Sequence, residues 1–361
     1  MYVLIAILAF GLLIAVHELG HFLTAKLMGV RVNEFAIGMG PKVLSKQGKE
    51  TLYSLRLLPL GGFCAMDDDE LKEGDSRALT SQKRWKRALI FFAGSFANLL
   101  VAFIIVVAIT LSAGHTGFVG TTIDGLVDTA PIKGEYGLMV GDTIISINGD
   151  RLFYSGDFSM FMQLSEMTGR ENVDLVISRN GQLIHLNNFP LHRHEFIANG
   201  EVVYRFGIYF NVIEATFAEQ IRYSVYSTFN FIRMIRVSLV QLISGHAGIG
   251  DLSGMVGIVD AINDAAQSAP TFLDALRTIA FFTAFIGVNL AIMNMLPIPA
   301  LDGGRILFLF ISFIIEKVIR RKLDPKYEGY LHMGTMVLLV GLMIFLLFND
   351  VITIIGRQIA G

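Results

Sequence analysis

From Ala88 to Ala113 the chain runs 26 residues without one charged side chain, enough for a helix to cross the roughly 30 Å hydrocarbon layer of a bilayer. The basic cluster Lys83, Arg84, Lys86 and Arg87 stands immediately before it. Three further stretches have the same apolar character: Met1 to Ala25, Thr278 to Leu301 and Tyr330 to Asn349. Only 17% of the 361 residues are charged and 53% are hydrophobic, against about 25% charged in an average soluble protein. The sequence therefore predicts a polytopic α-helical membrane protein with four transmembrane helices, embedded in a lipid bilayer. No Lys or Arg precedes the first apolar run and no small-x-small site ends it, which favours a retained helix over a cleaved signal peptide. A net charge of −2 supplies no basic footprint for a phosphate backbone, so no nucleic-acid partner is expected.

The positive charge divides the loops. Lys and Arg number 12 between Lys26 and Arg87 and 6 between Arg305 and Lys326, but only 10 across the far longer stretch from Gly114 to Arg277. The short basic loops are therefore expected on the cytoplasmic side, with both termini and the long central insert outside. The resulting map is a first span over 1–28, a cytoplasmic loop over 29–87, and a second span over 88–113. An insert follows over 114–212, an amphipathic helix and Gly-rich connector over 213–277, and a third span over 278–302. A cytoplasmic helix or loop over 303–329, a fourth span over 330–349 and a tail over 350–361 complete it. Within the first loop, the stretch from Glu34 to Met66 reads as a β-hairpin with turn residues Pro59, Gly61 and Gly62, lying on the surface or dipping into the membrane face. In the insert, Gly137 to Gly149 has the spacing G-L-x-x-G-D-x-I-x-x-I-N-G and ends in a tight Asn-Gly turn. It resembles the characteristic segment of PDZ domains, small α/β domains that take an extended peptide on a sheet edge. Spacing of three and four residues from Phe217 to Leu242 predicts the amphipathic helix. The glycine-rich stretch from Gly245 to Gly257 lacks the Lys-Ser/Thr of a phosphate loop and is expected to be a flexible connector.

The scarce polar groups inside the spans carry the chemistry. His17, Glu18, Leu19, Gly20 and His21 form an H-E-x-x-H pattern within the first apolar run. One helical turn separates the histidines, so both imidazoles leave the same face and can hold one zinc ion, with Glu18 beside them as a base. Ionisable groups at membrane depth are expensive and point to function. The lone cysteine, Cys64, rules out a Cys-rich zinc site and an internal disulfide. Catalytic zinc needs a third protein ligand, for which Asp302, after the helix-breaking Pro297 and Pro299, and His332 are the candidates. The other histidines, His115, His185, His192, His194 and His246, fall outside or near the interfaces.

Taken with Asn294-x-x-Pro297-x-Pro299-x-Leu301-Asp302-Gly303, 281 residues beyond His21, the pattern resembles the site-2 protease family, the M50-type intramembrane zinc metalloproteases. Four spans and one PDZ-like unit are similar to its bacterial RseP/RasP-like branch. The resemblance implies one zinc ion per chain on His17, His21 and Asp302, with Glu18 activating water. It implies that Asn294 and Asn289, together with Pro297 and Pro299, help hold a substrate backbone near the metal. Gly38, Gly40, Gly61 and Gly62 would belong to a membrane-associated β-element that pairs with an unwound substrate strand. Substrates would be single-span membrane proteins, such as anti-sigma factors already trimmed by another protease or remnant signal peptides, in a bacterial inner membrane. The PDZ-like unit would bind a peptide or screen substrates by size. Met255 stands where the family usually has proline, and the insert has room for one PDZ-like unit where relatives often have two. A transporter would be expected to show repeated halves, which are not visible. A silent PDZ scaffold would not need the His-Glu-Asp set.

Overall fold

A computed structural model describes residues 1–66, 76–114, 117–127, 134, 137–170, 172–198, 201–245, 254–320 and 326–360. Contacts divide the chain into two units, residues 1–109 with 231–361, and residues 110–230.

Among the described residues, four helices are long and apolar enough to cross a membrane: α1 (Tyr2–Leu27), α2 (Arg84–Ser112), α6 (Phe272–Asn294) and the Gly329–Asp350 portion of α8 (Lys326–Ala360), all wholly or mainly in the first unit. The amphipathic α4 (Phe217–Ile243) enters this unit with its second half. Its Phe231 and Ile235 pack with Ala102 and Val106 of α2 and with Ala284 and Val288 of α6. Helix α5 (Met255–Gln267) closes on α1 and α6 through Ile262 and Ala266, which meet Phe10, Leu13 and Ile279. Helix α7 (Asp302–Ile319) sends Leu309 into a cluster with Ala25, Ile90 and Phe91.

Strands β1 (Val32–Gln47) and β2 (Leu52–Met66) pair antiparallel, but each is bent and used twice. The segment 34–37 is bonded on one side to 62–65 and on the other to 52–55, whose far side carries 44–47. Positive φ at Gly38, Gly40 and Gly61, a region open to glycine without strain, allows the bends. A simple hairpin thus becomes a ribbon four segments wide. Segment 62–65 forms one of its outer edges, with no further strand beyond it among the described residues.

The second unit holds β3 (Gly117–Leu126), β4 (Thr143–Ile147), β5 (Asp150–Arg151), α3 (Ser155–Met167), β6 (Val173–Arg179), β7 (Gln182–Phe189), the pair β8 (His194–Ala198) and β9 (Glu201–Arg205), and β10 (Ile208–Glu214). The sheet order is β10-β3-β4-β6-β7, with β5 on β4. Ile144, Ile147, Leu175 and Ile177 form its core with Phe158, Phe161 and Met162 of α3. Asn148-Gly149 and Asn180-Gly181 both take positive φ, the paired left-handed conformation of a type I′ hairpin turn. The unit extends beyond the 114–212 expected, because α4 up to Asn230 packs into it. Tyr223 stacks on Phe118, Tyr226 stacks on Phe153, and Asn230 donates to Asp157.

Three expectations need correction. The third span stops at Asn294 rather than reaching 302: Pro297 and Pro299 lack the N–H groups a helix would need, and Asp302 instead opens α7. The connector is not open-ended, because Gly254 caps α5 and the Gly254 and Gly257 amides donate to Asp350 at 2.9 Å each; residues 246–253 lie outside the described residues. The tail is helical to Ala360, as Val351 to Ile355 continue the apolar run with no breaker.

Candidate metal centre

The period of α1 stacks His17 over His21, ring centroids 4.7 Å apart and nearly perpendicular. Two features bring α2 against this face. Gly20 has no side chain where Ala93 and Ala97 approach, and Gly94 faces the imidazoles themselves. A Cβ on Gly94 would lie 2.5 Å from Nε2 of His21 and 2.8 Å from Cε1 of His17. Small residues at such crossings allow helix backbones to approach closely. From α2 the Ile90 carbonyl also accepts a 2.8 Å hydrogen bond from Nδ1 of His21, which turns Nε2 inward with its lone pair free.

Asp302 arrives from the far end of the chain. After α6 ends, residues 295–301 make a tight turn in which Ala300 takes φ +76 and Leu301 caps α7. Gly303 and Gly304 lie directly against the carbonyls of Met295 and Ile298, and a Cβ at either would collide with them. That packing aims the Asp302 carboxylate at both imidazoles. Its Oδ2 is 3.1 Å from Nε2 of His17 and 3.2 Å from Nε2 of His21, and the two Nε2 atoms are 3.1 Å apart. Three metal-ligating atoms at nearly equal separation form one face of a tetrahedron. For zinc, with bonds of about 2.0–2.1 Å to such ligands, the tetrahedral edge is about 3.3 Å. The donor set and its spacing fit zinc, and the fourth corner is left for water or substrate. Among the described residues, no other group of three His, Cys, Asp or Glu side chains comes together in this way.

These atoms open into a cavity of about 400 Å³ whose wall includes Glu18, Phe63, Cys64, Asn98, Asn294 and Arg305. Glu18, one residue on from His17, is rotated toward the outer edge of the ribbon. There a Cβ on Gly62 would sit 3.4 Å from its Cγ. Burial first, and the neighbouring Glu18 second, push the Cys64 thiol up to about 12.

Of the residues singled out from sequence, His17, Glu18, His21, Asp302 and Asn294 meet in this cavity, with Asn294 Nδ2 3.4 Å from His17 Nε2. Gly62 adjoins it through Glu18, and Gly61 precedes it at the strand bend. Asn289 on α6 is not part of the wall. Pro297 and Pro299 shape the turn behind Asp302, while the adjacent Ala300 and Leu301 reach the cavity. Gly38 and Gly40 bend β1 away from the site. The His332 side chain lies outside the described residues, as do His115 and His246. Sequence reading missed Gly94, Asn98 and Arg305. A glycine between alanine and serine, and an asparagine one turn later in an otherwise apolar span, were the available signals.

A protein of Clostridium perfringens that carries a zinc-metalloprotease name is 35% identical over 353 residues, covering 98% of this chain and 99% of that protein. One from Clostridium acetobutylicum with a similar name is 36% identical over 351 residues, covering 97% of each. The regulator of sigma-W protease RasP of Bacillus subtilis is 27% identical, covering 96% of this chain and 97% of its own length. The sequence profile of peptidase family M50 matches residues 5–342, a span that takes in both histidines of α1 and the aspartate that opens α7. With the family's match over most of the chain and relatives of 35–36% identity along nearly its whole length, the protein belongs to peptidase family M50.

Proposed function

We propose that this M50 peptidase is a multi-pass membrane zinc endopeptidase that hydrolyses peptide bonds within the transmembrane segments of single-span proteins. The observation that carries the reading is the 3.1–3.2 Å triangle of His17, His21 and Asp302 among apolar helices, next to the unpaired strand edge 62–65. Zinc, when bound there, lowers the pKa of a coordinated water toward about 7 and polarises a carbonyl. Glu18 faces the same cavity, takes the proton from the attacking water and returns it to the leaving amine. A helical substrate hides its amides in its own hydrogen bonds, so it must unwind locally before attack. The edge at Gly62, Phe63 and Cys64 offers the freed backbone a strand to pair with, beside the base. Asn294 stands within reach of the same backbone.

Charge distribution supports an inner-membrane protein with its basic loops and metal site toward the cytoplasm, and with both termini and the 110–230 unit outside. That unit is read as PDZ-like. A cleft of about 790 Å³ lies between Phe158 and Ser159 of α3 and residues 204–210 leading into the edge strand β10, with Arg193 and Arg205 in its wall. An extended peptide with a free carboxylate suits it. Substrates are then anti-sigma-type regulators or remnant signal peptides already cut outside by another protease, since such a cut creates a free C-terminus.

Cleavage of a single-span reporter by the purified protein, with zinc measured in parallel, tests this reading. Glu18→Gln is expected to keep zinc and lose cleavage by at least about 100-fold. Asp302→Ala is expected to lose both. Unchanged cleavage by Glu18→Gln would refute the mechanism, and full zinc in Asp302→Ala would refute the ligand set.

A further inference from the structure

Asn98 is completely buried on α2, and neither its Oδ1 nor its Nδ2 has a hydrogen-bond partner among the described residues. It lies one turn beyond Gly94, on the face that meets the imidazoles, and it lines the cavity of the candidate metal site together with Ile14, Leu290 and Asn294. A carboxamide in apolar surroundings without partners is costly. It survives in a packed span where its use compensates, and the cavity that Asn98 helps to line is a place from which a partner can approach it. The side chain offers one acceptor and a two-proton donor, the same pair of functions that a peptide group presents. Unwinding a substrate helix at the metal exposes such peptide groups, which the surrounding hydrocarbon cannot satisfy. Strand 62–65 can pair with one side of an extended segment only, leaving the N–H and C=O groups of its other side open.

Resting on the peptidase reading above, we infer that Asn98 is a substrate-binding residue that hydrogen-bonds the unwound backbone next to the scissile bond, on the side away from the β-ribbon. It reads backbone and not side chains, so it serves substrates of different sequence alike. Its role separates from that of the metal ligands, because it touches none of them through a hydrogen bond.

The experiment compares wild type, Asn98→Ala and Asn98→Leu in zinc content, thermal unfolding, and kcat and KM on a single-span reporter. The inference expects both variants to keep wild-type zinc and a cooperative unfolding transition. It expects kcat/KM to fall about 10- to 100-fold, carried mainly by KM. Capture of uncleaved reporter by Glu18→Gln should weaken to the same degree when Asn98→Ala is added. Unchanged kcat/KM in Asn98→Ala, or loss of zinc from either variant, would overturn it. If the wild-type protein itself cleaves no reporter in a chelator-sensitive way, the peptidase reading fails first and takes this assignment with it.

Discussion

Gly94 is the residue whose replacement separates architecture from chemistry most sharply. In Gly94→Ala the new Cβ starts 2.5 Å from Nε2 of His21, whereas ordinary van der Waals contact begins near 3.4 Å. The deficit of 0.9 Å must be met by withdrawing α2 or by turning the imidazoles. Withdrawal also pulls the Ile90 carbonyl from Nδ1 of His21, so either response disturbs the triangle. Metal sites tolerate ligand displacements of about 0.2 Å, and a misplacement of about 1 Å at a reacting centre can cost about 100-fold in rate, equivalent to about 2.7 kcal/mol. Helix propensity acts in the opposite direction, favouring alanine by about 0.8–1.0 kcal/mol. The expected result is a folded, helical protein with depleted zinc and a cleavage rate down about 100-fold or more. Gly341→Ala on α8, where no atom lies within 4 Å of the added Cβ, is the control and should leave both unchanged. Wild-type zinc and rate in purified Gly94→Ala would refute the close approach of α2 to the histidines, and with it the geometry of the site.

Two further outcomes follow from polar contacts away from the metal. In the 110–230 unit the fully buried Asp142 accepts two 2.8 Å hydrogen bonds from Arg179, so Arg179→Ala leaves an uncompensated buried carboxylate. The expected cost is about 3–5 kcal/mol, read as protease cutting confined to residues 110–230 of the intact chain; resistance equal to wild type would contradict it. In the β-ribbon, burial pushes the Glu34 carboxyl up, but hydrogen bonds from Ser54 and Arg56 and the nearby Lys42 outweigh it and hold the group below its ordinary value. A depressed folded pKa gives stability that is complete above the unfolded value of about 4.3 and is lost as pH falls through the folded one. Hydrogen-exchange protection of residues 52–55, corrected for intrinsic rates, should therefore stay level around neutrality and drop only in acid. Glu34→Gln should flatten that drop.

What could be read from sequence was whatever a local period encodes. The His17–His21 face follows from one helical turn, and the four apolar spans from length and lack of charge. Asp302 was legible as a residue type after a proline break, but its meeting with the histidines depends on a turn held by Gly303 and Gly304 against backbone carbonyls. No periodicity reports a contact of that kind. Gly94 was illegible for the same reason: its demand for a missing side chain arises from His21, 73 positions earlier. The doubled pairing of β1 and β2 escaped because alternation predicts that a strand forms but says nothing of a bend that lets one segment serve two neighbours.

Hydrolysis inside a bilayer has to solve three costs at one point: a charged metal set, a polar water and an unpaired backbone, each disfavoured in hydrocarbon. The geometry places the answers next to one another. Asp302, the proposed third ligand, stands not in mid-span but at the N-terminus of α7, where the helix dipole favours its negative charge. Glu18, the proposed base on α1, approaches Gly62 of the ribbon edge, so in the proposed mechanism an extended chain lying along Phe63 and Cys64 has its carbonyl groups within one side chain of the His17, His21 and Asp302 triangle. A peptide that remained helical could not present a carbonyl there, since each is bonded to the amide four residues on. With the proposed cleavage of unwound segments, selectivity acts on how readily a segment unwinds, and glycine or proline near the scissile bond should matter more to cleavage than the identity of its apolar side chains.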